Sequence, residues 1–402
     1  MKLLRAIRTR NLVTAFVLSA VSVVSFALDR SAVGVQVGPV TAYPSIAVST
    51  RHDDNLFRSE TNEKSTLLGI VAPAIELVVQ DNIKKLKLDY NIEAGFYDVS
   101  GQDDYVDQEL LGIFEYHPTD RITTELSAEY LKLHDPRGTE RTEGDLNLSF
   151  HPDRWHSYGV AGLLKYGTPN ATGRIELETS YVTKDYDNNR EFTFVRDRDD
   201  FDLRGTFFYR IRPKTALLFE ITYADFEYDQ AAAGEPTLDS TDVEALVGVS
   251  WDATYKTTGY AKLGYANKDF DSDLRKDADD FRWEVGVKWS PRSYSTVDIS
   301  TEQRRDESDG IGDSIDVAEI DFSWNHQWRD RFSTTVEFLY GEDEYDPSPR
   351  SDTRIRTGLK LNYDWRRWAR VIVGYQYENR DSNINIFDYD RNLFDLTLNI
   401  TL

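Results

Sequence analysis

The chain has 402 residues, a formal net charge of −23 and no cysteine. A chain this acidic is an unsuitable partner for nucleic acid or for an anionic membrane surface. Disulfide bonds are excluded, so the fold must depend on backbone pairing and burial alone.

The first 27 residues predict a signal peptide. Four basic residues fall within the first ten positions, the apolar run 12–24 follows, and small residues lead to a cleavage site after Ala27. The apolar run is too short for a membrane-spanning helix. We therefore expect an exported chain that begins with a short periplasmic segment, 28–42, and keeps 43 basic against 70 acidic residues.

The rest of the chain predicts strands with one apolar and one charged face. In 354–365 the odd positions are apolar or aromatic, apart from Thr357, and the even positions are charged, polar or glycine. Successive side chains of a strand point to opposite faces, so this segment has one apolar and one hydrated face. The pattern restarts after a short polar connection, which makes 354–378 a hairpin. The other strands repeat this rule.

Tight turns divide residues 43–402 into eighteen predicted strands. The predicted turns are 81–82, 118–120, 168–173, 213–214, 253–254, 291–292, 329–330 and 366–367. The connections on the other side are long, acidic and rich in Gly, Asp and Asn, an asymmetry typical of outer-membrane barrels. The sequence thus predicts an all-β, transmembrane, antiparallel up-and-down β-barrel of about 18 strands over 43–402. The predicted location is the outer membrane of a Gram-negative bacterium.

Two segments are ambiguous. Asp145–Phe150 alternates like a nineteenth strand, but a strand there would put two successive connections on the same side of the membrane. We assign it to a long loop, 134–155. Pro73 interrupts a predicted strand, where it removes a backbone donor, and predicts a β-bulge.

A soluble β-sandwich is the alternative to a membrane barrel. A two-sheet core of this length should contain strands that are apolar on both faces, whereas every predicted strand here has the same alternation. Aromatic residues near the strand ends also suggest belts at the two membrane interfaces. They are Phe96, Trp251, Phe281, Trp289, Phe322, Trp324, Tyr363, Trp365, Tyr375 and Tyr377.

The charged face predicts the lining of an aqueous lumen, because a barrel of sixteen to eighteen strands is wide enough to hold water. The alternative role for each charge is to pair with a neighbouring strand and stiffen the wall. The predicted lining residues are Lys85, Lys87, Asp89, Glu93, Arg204, Arg210, Lys262, Arg282, Glu284, Lys288, Arg354, Arg356 and Lys360.

No motif predicts catalysis. The chain has no GxSxG, HExxH or phosphate-loop pattern, so we expect no enzyme activity and no cofactor. The loop 269–280 begins like a calcium loop, but Leu274 stands where glycine is required and Asp280 where glutamate is required. We therefore expect no bound metal there.

Three short segments resemble the "Putative β-barrel porin type 2" family of outer-membrane barrels, which accompany bacterial capsule and exopolysaccharide systems. The first is 53–58, with Asp53, Asp54 and Asn55. The second is 166–174, with Tyr166, Gly167, Pro169 and Gly173. The third is 186–190, with Tyr186, Asp187 and Asn188, followed by Arg196 and Asp197. The resemblance spans nearly the whole mature chain and implies a large barrel that helps to export a polysaccharide.

Three functions remain open. The first is an outer-membrane conduit for an exopolysaccharide or capsular polysaccharide, with the polymer and a periplasmic export protein as partners. The second is a diffusion porin for small solutes, which predicts that loop 134–155 folds into the lumen. The third is a structural or adhesive surface barrel with a plugged lumen. For all three, we expect contacts with membrane lipid, lipopolysaccharide and the barrel assembly machinery.

Overall fold

The structure is a computed structural model that describes residues 33–168, 170–254 and 256–402. The predicted signal peptide, 1–27, and Pro169 lie outside the described residues. Nineteen strands occur within the described part of the chain. They are β1 (Val35–Val37), β2 (Val40–Asp53), β3 (Thr66–Gln80), β4 (Lys84–Tyr97), β5 (Tyr105–Thr119), β6 (Ile122–Asp135), β7 (Asp153–Tyr166), β8 (Gly173–Tyr186), β9 (Arg198–Arg212), β10 (Thr215–Tyr228), β11 (Ser240–Thr254), β12 (Thr257–Phe270), β13 (Ala278–Arg292), β14 (Ser295–Glu307), β15 (Ser314–Arg329), β16 (Phe332–Asp346), β17 (Ser351–Arg366), β18 (Ala369–Ser382) and β19 (Tyr389–Thr401).

Strands β2 to β19 form a closed barrel of eighteen strands. Each pairs antiparallel with the next along the chain, and β19 pairs with β2. The closing ladder runs from Thr401 opposite Ser45 to Leu393 opposite Asp53. Strand β1 is a three-residue addition that pairs with the start of β2. The predicted antiparallel barrel of about 18 strands is confirmed, and closure leaves no long unpaired edge.

Two of the eight predicted turns are misplaced by about two residues. The predicted turn 253–254 belongs to β11, and the predicted turn 291–292 belongs to β13. In both hairpins the register shifts just before the turn, so that Thr254 pairs with Thr257 and Arg292 pairs with Ser295. These irregularities carry each strand further than regular alternation predicts.

Pro73 does not produce the predicted bulge. Strands β3 and β4 keep one register on both sides of it, with Val71 opposite Ala94 and Ala74 opposite Asn91. The ladder to β4 is interrupted between those two pairs, while Pro73 still lies opposite Ile46 of β2. The missing N–H therefore costs local pairing without adding a residue to the strand.

The helical elements are short and lie in the connections. The α-helix is Arg190–Thr193, and the 3₁₀ helices are Gly101–Asp103, Glu140–Thr142, Leu146–Leu148, Phe194–Arg196 and Asn385–Phe387. Asp145–Phe150 contains one of these 3₁₀ turns, so its assignment to a loop is confirmed. Across the described ranges, no helix has the length and apolar character needed to cross a membrane.

Burial is inverted relative to that of a soluble protein. On β12, Leu263 and Tyr265 point outward and are 54% and 63% exposed, whereas Lys268 on the inner face is 1% exposed. Arg282 on β13 is 2% exposed. By register, all ten aromatic residues of the predicted belts lie on the outer face. An apolar exterior around a charged interior is the arrangement that a barrel needs in lipid.

Candidate transport pathway

All thirteen predicted lining residues lie on the inner face of the barrel wall. The strand registers place them there, because directly paired residues share a face: Asp89 lies opposite Glu76, and Arg204 lies opposite Glu178. Whether each one contributes to transport stays a prediction.

Most of these side chains are paired with charges on neighbouring strands. The Lys87 Nζ lies 2.7 Å from carboxylate oxygens of both Glu76 and Asp89. The Lys262 Nζ lies 2.8 Å from Glu220 and also contacts Glu284. Further pairs are Lys85 with Glu115, Lys288 with Asp298, Arg354 with Asp343, Arg356 with Glu378 and Lys360 with Glu337. The wall is therefore a lattice of alternating charges, which both stiffens it and keeps it hydrophilic.

The loop between β6 and β7 folds across the outer end of this lumen. We call residues 136–152 the mouth loop. It contacts strand β18 and five other connections on the same side of the barrel. These connections are β2–β3, β4–β5, β8–β9, β16–β17 and β18–β19. Contacts on opposite walls require the loop to span the opening. The diffusion-porin hypothesis predicted this placement.

A carboxylate on the mouth loop binds two arginines of the far wall. The Glu143 Oε2 accepts a 2.8 Å hydrogen bond from Arg350 Nη2, and its Oε1 accepts a 2.6 Å hydrogen bond from Arg380 Nη1. We call Glu143, Arg350 and Arg380 the latch. Hydrogen bonds between charged groups are the strong ones, at roughly 1.5–3 kcal/mol each.

Two more ion pairs hold the near side of the mouth loop. Arg137 Nε and Nη2 each lie 2.7 Å from a different oxygen of Asp103, and the Arg137 guanidinium lies 4.7 Å from the centre of the Phe57 ring. The Glu140 Oε2 accepts a 2.8 Å hydrogen bond from Arg196 Nη2. These anchors are polar, so water or a charged solute can take the place of either partner.

Gly138 allows the mouth loop to pass close to the connection between β2 and β3. Its φ is +83°, and a β-carbon added there would collide with the backbone carbonyl of Phe57. Glycine alone has both the conformation and the space for this approach.

Two adjoining cavities lie along the inner wall. The first, of about 220 Å³, is lined by Glu140 and Glu143 of the mouth loop and by wall residues that include Tyr345 and Arg380. The second, of about 180 Å³, is lined by β5 to β10 and β14. Both are lined by Lys184, Arg198, Asp306 and Glu307, so the two cavities meet at a charged part of the wall.

The pKa of Glu143 in the latch and the pKa of the neighbouring Asp309 are shifted in opposite directions. Burial alone would raise the pKa of Glu143, but Arg380 and Arg350 outweigh it and hold that pKa below its ordinary value. Burial, reinforced by Glu143 and Glu140, raises the pKa of Asp309 to about 7. Asp309 is therefore largely uncharged below neutral pH while the mouth loop is docked.

Asp309 makes the docking of the mouth loop depend on pH. Docking raises the pKa of the Asp309 carboxyl, so the protonated carboxyl stabilises the docked loop. This stabilisation is complete below the ordinary pKa of about 4, and it is lost as the pH rises to about 7, where Asp309 ionises. We expect the single-channel conductance to rise between pH 4 and 7 and to level off above 7. D309N should remove most of this change, and an identical pH profile in the variant would refute the assignment.

The first predicted family-like segment closes the barrel seam. Asp53 pairs with Arg391 of β19 through Oδ1 and Nε at 3.0 Å and through Oδ2 and Nη2 at 2.5 Å. Asp54 accepts a 2.8 Å hydrogen bond from the Asn392 side chain. The Asn55 amide donates to the carbonyl of Asp390. These contacts tie the connection after β2 to β19.

The other two segments have structural roles as well. Tyr166 ends β7 and Gly173 begins β8, with Gly167 between them at a φ of +117°; Pro169 lies outside the described residues. In the third segment, Tyr186 donates to Asp135, Asp187 binds His156, and Asn188 donates to the carbonyl of Pro152. The third segment therefore supports both ends of the mouth loop.

Sequence reasoning missed the latch. It placed the mouth loop in the right region but named neither Glu143 nor Arg350 nor Arg380 as a functional residue. No spacing signal links these positions, because Glu143 and Arg350 are 207 residues apart. One signal was available: the loop predicted to enter the lumen contains glutamates, and the predicted wall carries arginines that could bind them.

Residues 30–402 match the family described as "Putative beta-barrel porin 2". The chain belongs to this family. No curated protein matches the chain. Family membership and the closed barrel make this porin-family chain a channel-type β-barrel of the Gram-negative outer membrane. That it has no enzyme activity stays a prediction.

Several solved outer-membrane barrels are similar to this porin-family chain. The FrpB iron transporter from Neisseria meningitidis (F3-3 variant) is 10% identical with a TM-score of 0.48, over 84% of this chain and 62% of FrpB. This chain thus spans less than two thirds of the length of FrpB. OpdK from Pseudomonas aeruginosa, solved with vanillate, is 10% identical with a TM-score of 0.48, over 90% and 99% of the two chains. OccAB4 from Acinetobacter baumannii is 11% identical with a TM-score of 0.47, over 90% and 98%.

Proposed function

We propose that this barrel is the outer-membrane conduit for an exported polysaccharide, with the mouth loop as its outer gate. The observation that carries the proposal is the combination of a hydrophilic inner wall with a mouth loop that ion pairs hold to walls on both sides of the opening. A polymer of hydroxylated sugars needs hydrogen-bonding groups along its path, and in this proposal the mouth loop closes that path when no polymer is present.

The wall suits a sliding polymer. Charges of both signs alternate around the lumen, and Tyr186, Tyr228, Tyr345 and Tyr389 face the larger cavity beside them. The charged groups can form weak hydrogen bonds with sugar hydroxyls, and the tyrosine rings can stack on sugar rings. Such contacts are repeated along the wall. Conduction requires such weak, repeated binding, since one deep site would trap the cargo.

Transport through the barrel is passive in this proposal. The chain carries no phosphate-loop motif. The energy for export would then come from synthesis of the polymer and from a periplasmic export protein, and the barrel would provide the channel.

Deletion of the gene tests the proposal. In a strain that makes a surface polysaccharide, we expect deletion to deplete the surface polymer and to leave polymer in the periplasm, and the wild-type gene to restore export. L359A, which truncates an outward-facing leucine of β17, is the matched control and should restore export equally. Unchanged surface polymer in the deletion strain would overturn the proposal.

A second candidate is a diffusion porin for small hydrophilic solutes. The inward fold of the mouth loop favours it, because that loop leaves a cavity of only about 220 Å³ near the outer opening. This candidate gains support if deletion slows uptake of small sugars or organic acids while surface polymer is unaffected.

A further inference from the structure

The latch has the construction of a ligand site that the protein fills with its own carboxylate. Arg350 is 1% exposed, and its guanidinium lies between two aromatic rings, 4.2 Å from the centre of Tyr345 and 3.8 Å from that of Phe387. Its Nε lies 3.1 Å from the Asp352 Oδ1. None of these supports belongs to the mouth loop, since Tyr345 and Asp352 are strand residues and Phe387 lies in the connection between β18 and β19, so Arg350 would stay oriented if the mouth loop moved away.

Arg380 completes the site from the adjacent strand. Its guanidinium lies 5.4 Å from the centre of the Tyr389 ring, and its Nε lies 3.7 Å from the Asp352 Oδ2. Together the two arginines direct three N–H-bearing nitrogens at two carboxylates, Asp352 from the wall and Glu143 from the mouth loop. This fork geometry is the one with which arginine binds carboxylates.

The two arginines lose a shared partner without the mouth loop. Glu143 is the one carboxylate of this site that comes from the mouth loop, and it accepts a hydrogen bond from each guanidinium, so its departure leaves two buried N–H groups open to another anion. Breaking a buried ion pair by removing one partner is costly, and an incoming anion would remove that cost. The Arg350 Nη1 and the Arg380 Nε also have no hydrogen-bond partner in the described structure.

The site opens onto the proposed path. Glu143, Tyr345, Arg380 and Tyr389 all line the cavity of about 220 Å³ on the lumenal side of the mouth loop. A cargo in that cavity therefore meets the latch before it reaches the outer surface. The two tyrosines place phenol groups beside the arginines, where a sugar ring that bears a carboxylate would lie.

We propose that Arg350 and Arg380 form a binding site for the carboxylate of an acidic saccharide, such as a uronic acid residue, and that Glu143 occupies this site when cargo is absent. The inference rests on the proposed function and specifies its substrate class. Binding of cargo and docking of the mouth loop are mutually exclusive at this site. A carboxylate that displaces Glu143 thereby releases the far side of the mouth loop, and the cargo favours the open state.

Direct binding measurements on the full-length protein in detergent test this inference. The probe is trigalacturonate, with neutral maltotriose as its uncharged counterpart, measured by calorimetry. E143Q weakens the internal competitor, so we expect it to raise trigalacturonate affinity by about tenfold, a typical coupling between competing states. D145N is the matched control, because it removes an exposed mouth-loop carboxylate that accepts hydrogen bonds from Asn147 within the loop and lies outside the latch. It should leave the affinity unchanged.

Loss of the wall partner gives the complementary result. R380Q should abolish trigalacturonate binding, and heat-modifiable gel migration will verify that the variant barrel is folded. The inference is overturned if E143Q leaves the affinity unchanged, or if maltotriose and trigalacturonate bind equally. These outcomes are separate from polymer export in cells. If the gene deletion leaves surface polymer intact while E143Q still tightens binding, the site stands and the cargo is a small acidic solute.

Discussion

Replacing residues 139–149 of the mouth loop with a short Gly-Ser linker is expected to raise single-channel conductance several-fold. The segment includes Glu140 and Glu143, which hold the loop against opposite walls, so its removal opens the outer end of the cavity. Planar-bilayer recording of the purified protein measures the change.

The matched control for that variant is the same linker at 231–235, in the connection between β10 and β11. Four of these five residues are exposed, and they lie on the same side of the barrel. This control should leave the conductance at its wild-type value. Equal conductance in the loop-replaced and wild-type proteins would mean that the mouth loop does not restrict the path.

D53N is expected to destabilise the barrel by about 1.5–3 kcal/mol, the contribution of a hydrogen bond between charged groups, because Arg391 loses its closest carboxylate and keeps Glu378 at 3.3 Å. Asp53 is 2% exposed and binds Arg391 across the seam at which the barrel closes. Asparagine keeps the size of the side chain and can still accept the hydrogen bond from the Asn55 N–H, so the variant isolates the lost charge. Urea unfolding in lipid vesicles measures the free energy.

The same seam provides a control for D53N. Asp395 pairs with Arg51 at 2.6 Å, but the two side chains are 24% and 17% exposed. Solvent screens this pair more strongly, so D395N should cost clearly less, about 1 kcal/mol. If both variants destabilise equally, burial of the Asp53 pair does not explain its contribution.

The architecture was predictable because alternation is local information. Residues such as Lys85 and Arg282 could be placed on the inner face from their neighbours alone, since a strand exposes every second residue to one side. The hairpin turns followed from the same pattern. The prediction failed in two hairpins, where β11 and β13 continue for three residues beyond the last regularly paired residue, Trp251 and Trp289, without a signal in hydropathy.

The mouth loop could be placed only in part. Its alternating segment made 134–155 a candidate for entering the lumen, and Asp145–Phe150 was correctly kept out of the strand count. The contacts that hold it could not be predicted, since Glu143 meets Arg380 only after the barrel has closed and brought β6 and β18 to facing walls. Such pairs depend on barrel diameter and loop path, which alternation does not encode.

The central claim is that polymer leaves through this lumen past the mouth loop, and a reversible lock tests it most directly. A β-carbon added at Gly310 would lie 3.9 Å from that of Arg141, within the usual range for a disulfide, and the chain has no other cysteine. The R141C/G310C double variant should therefore bind the mouth loop to the connection between β14 and β15. G310C alone controls for the strain at its φ of +116°.

Surface polysaccharide is then measured in the deletion strain that carries the locked variant. The account predicts that oxidising conditions stop the appearance of polymer at the surface and that a reductant restores it, while the single variant exports in both conditions. Export that continues while the disulfide is formed would contradict the account.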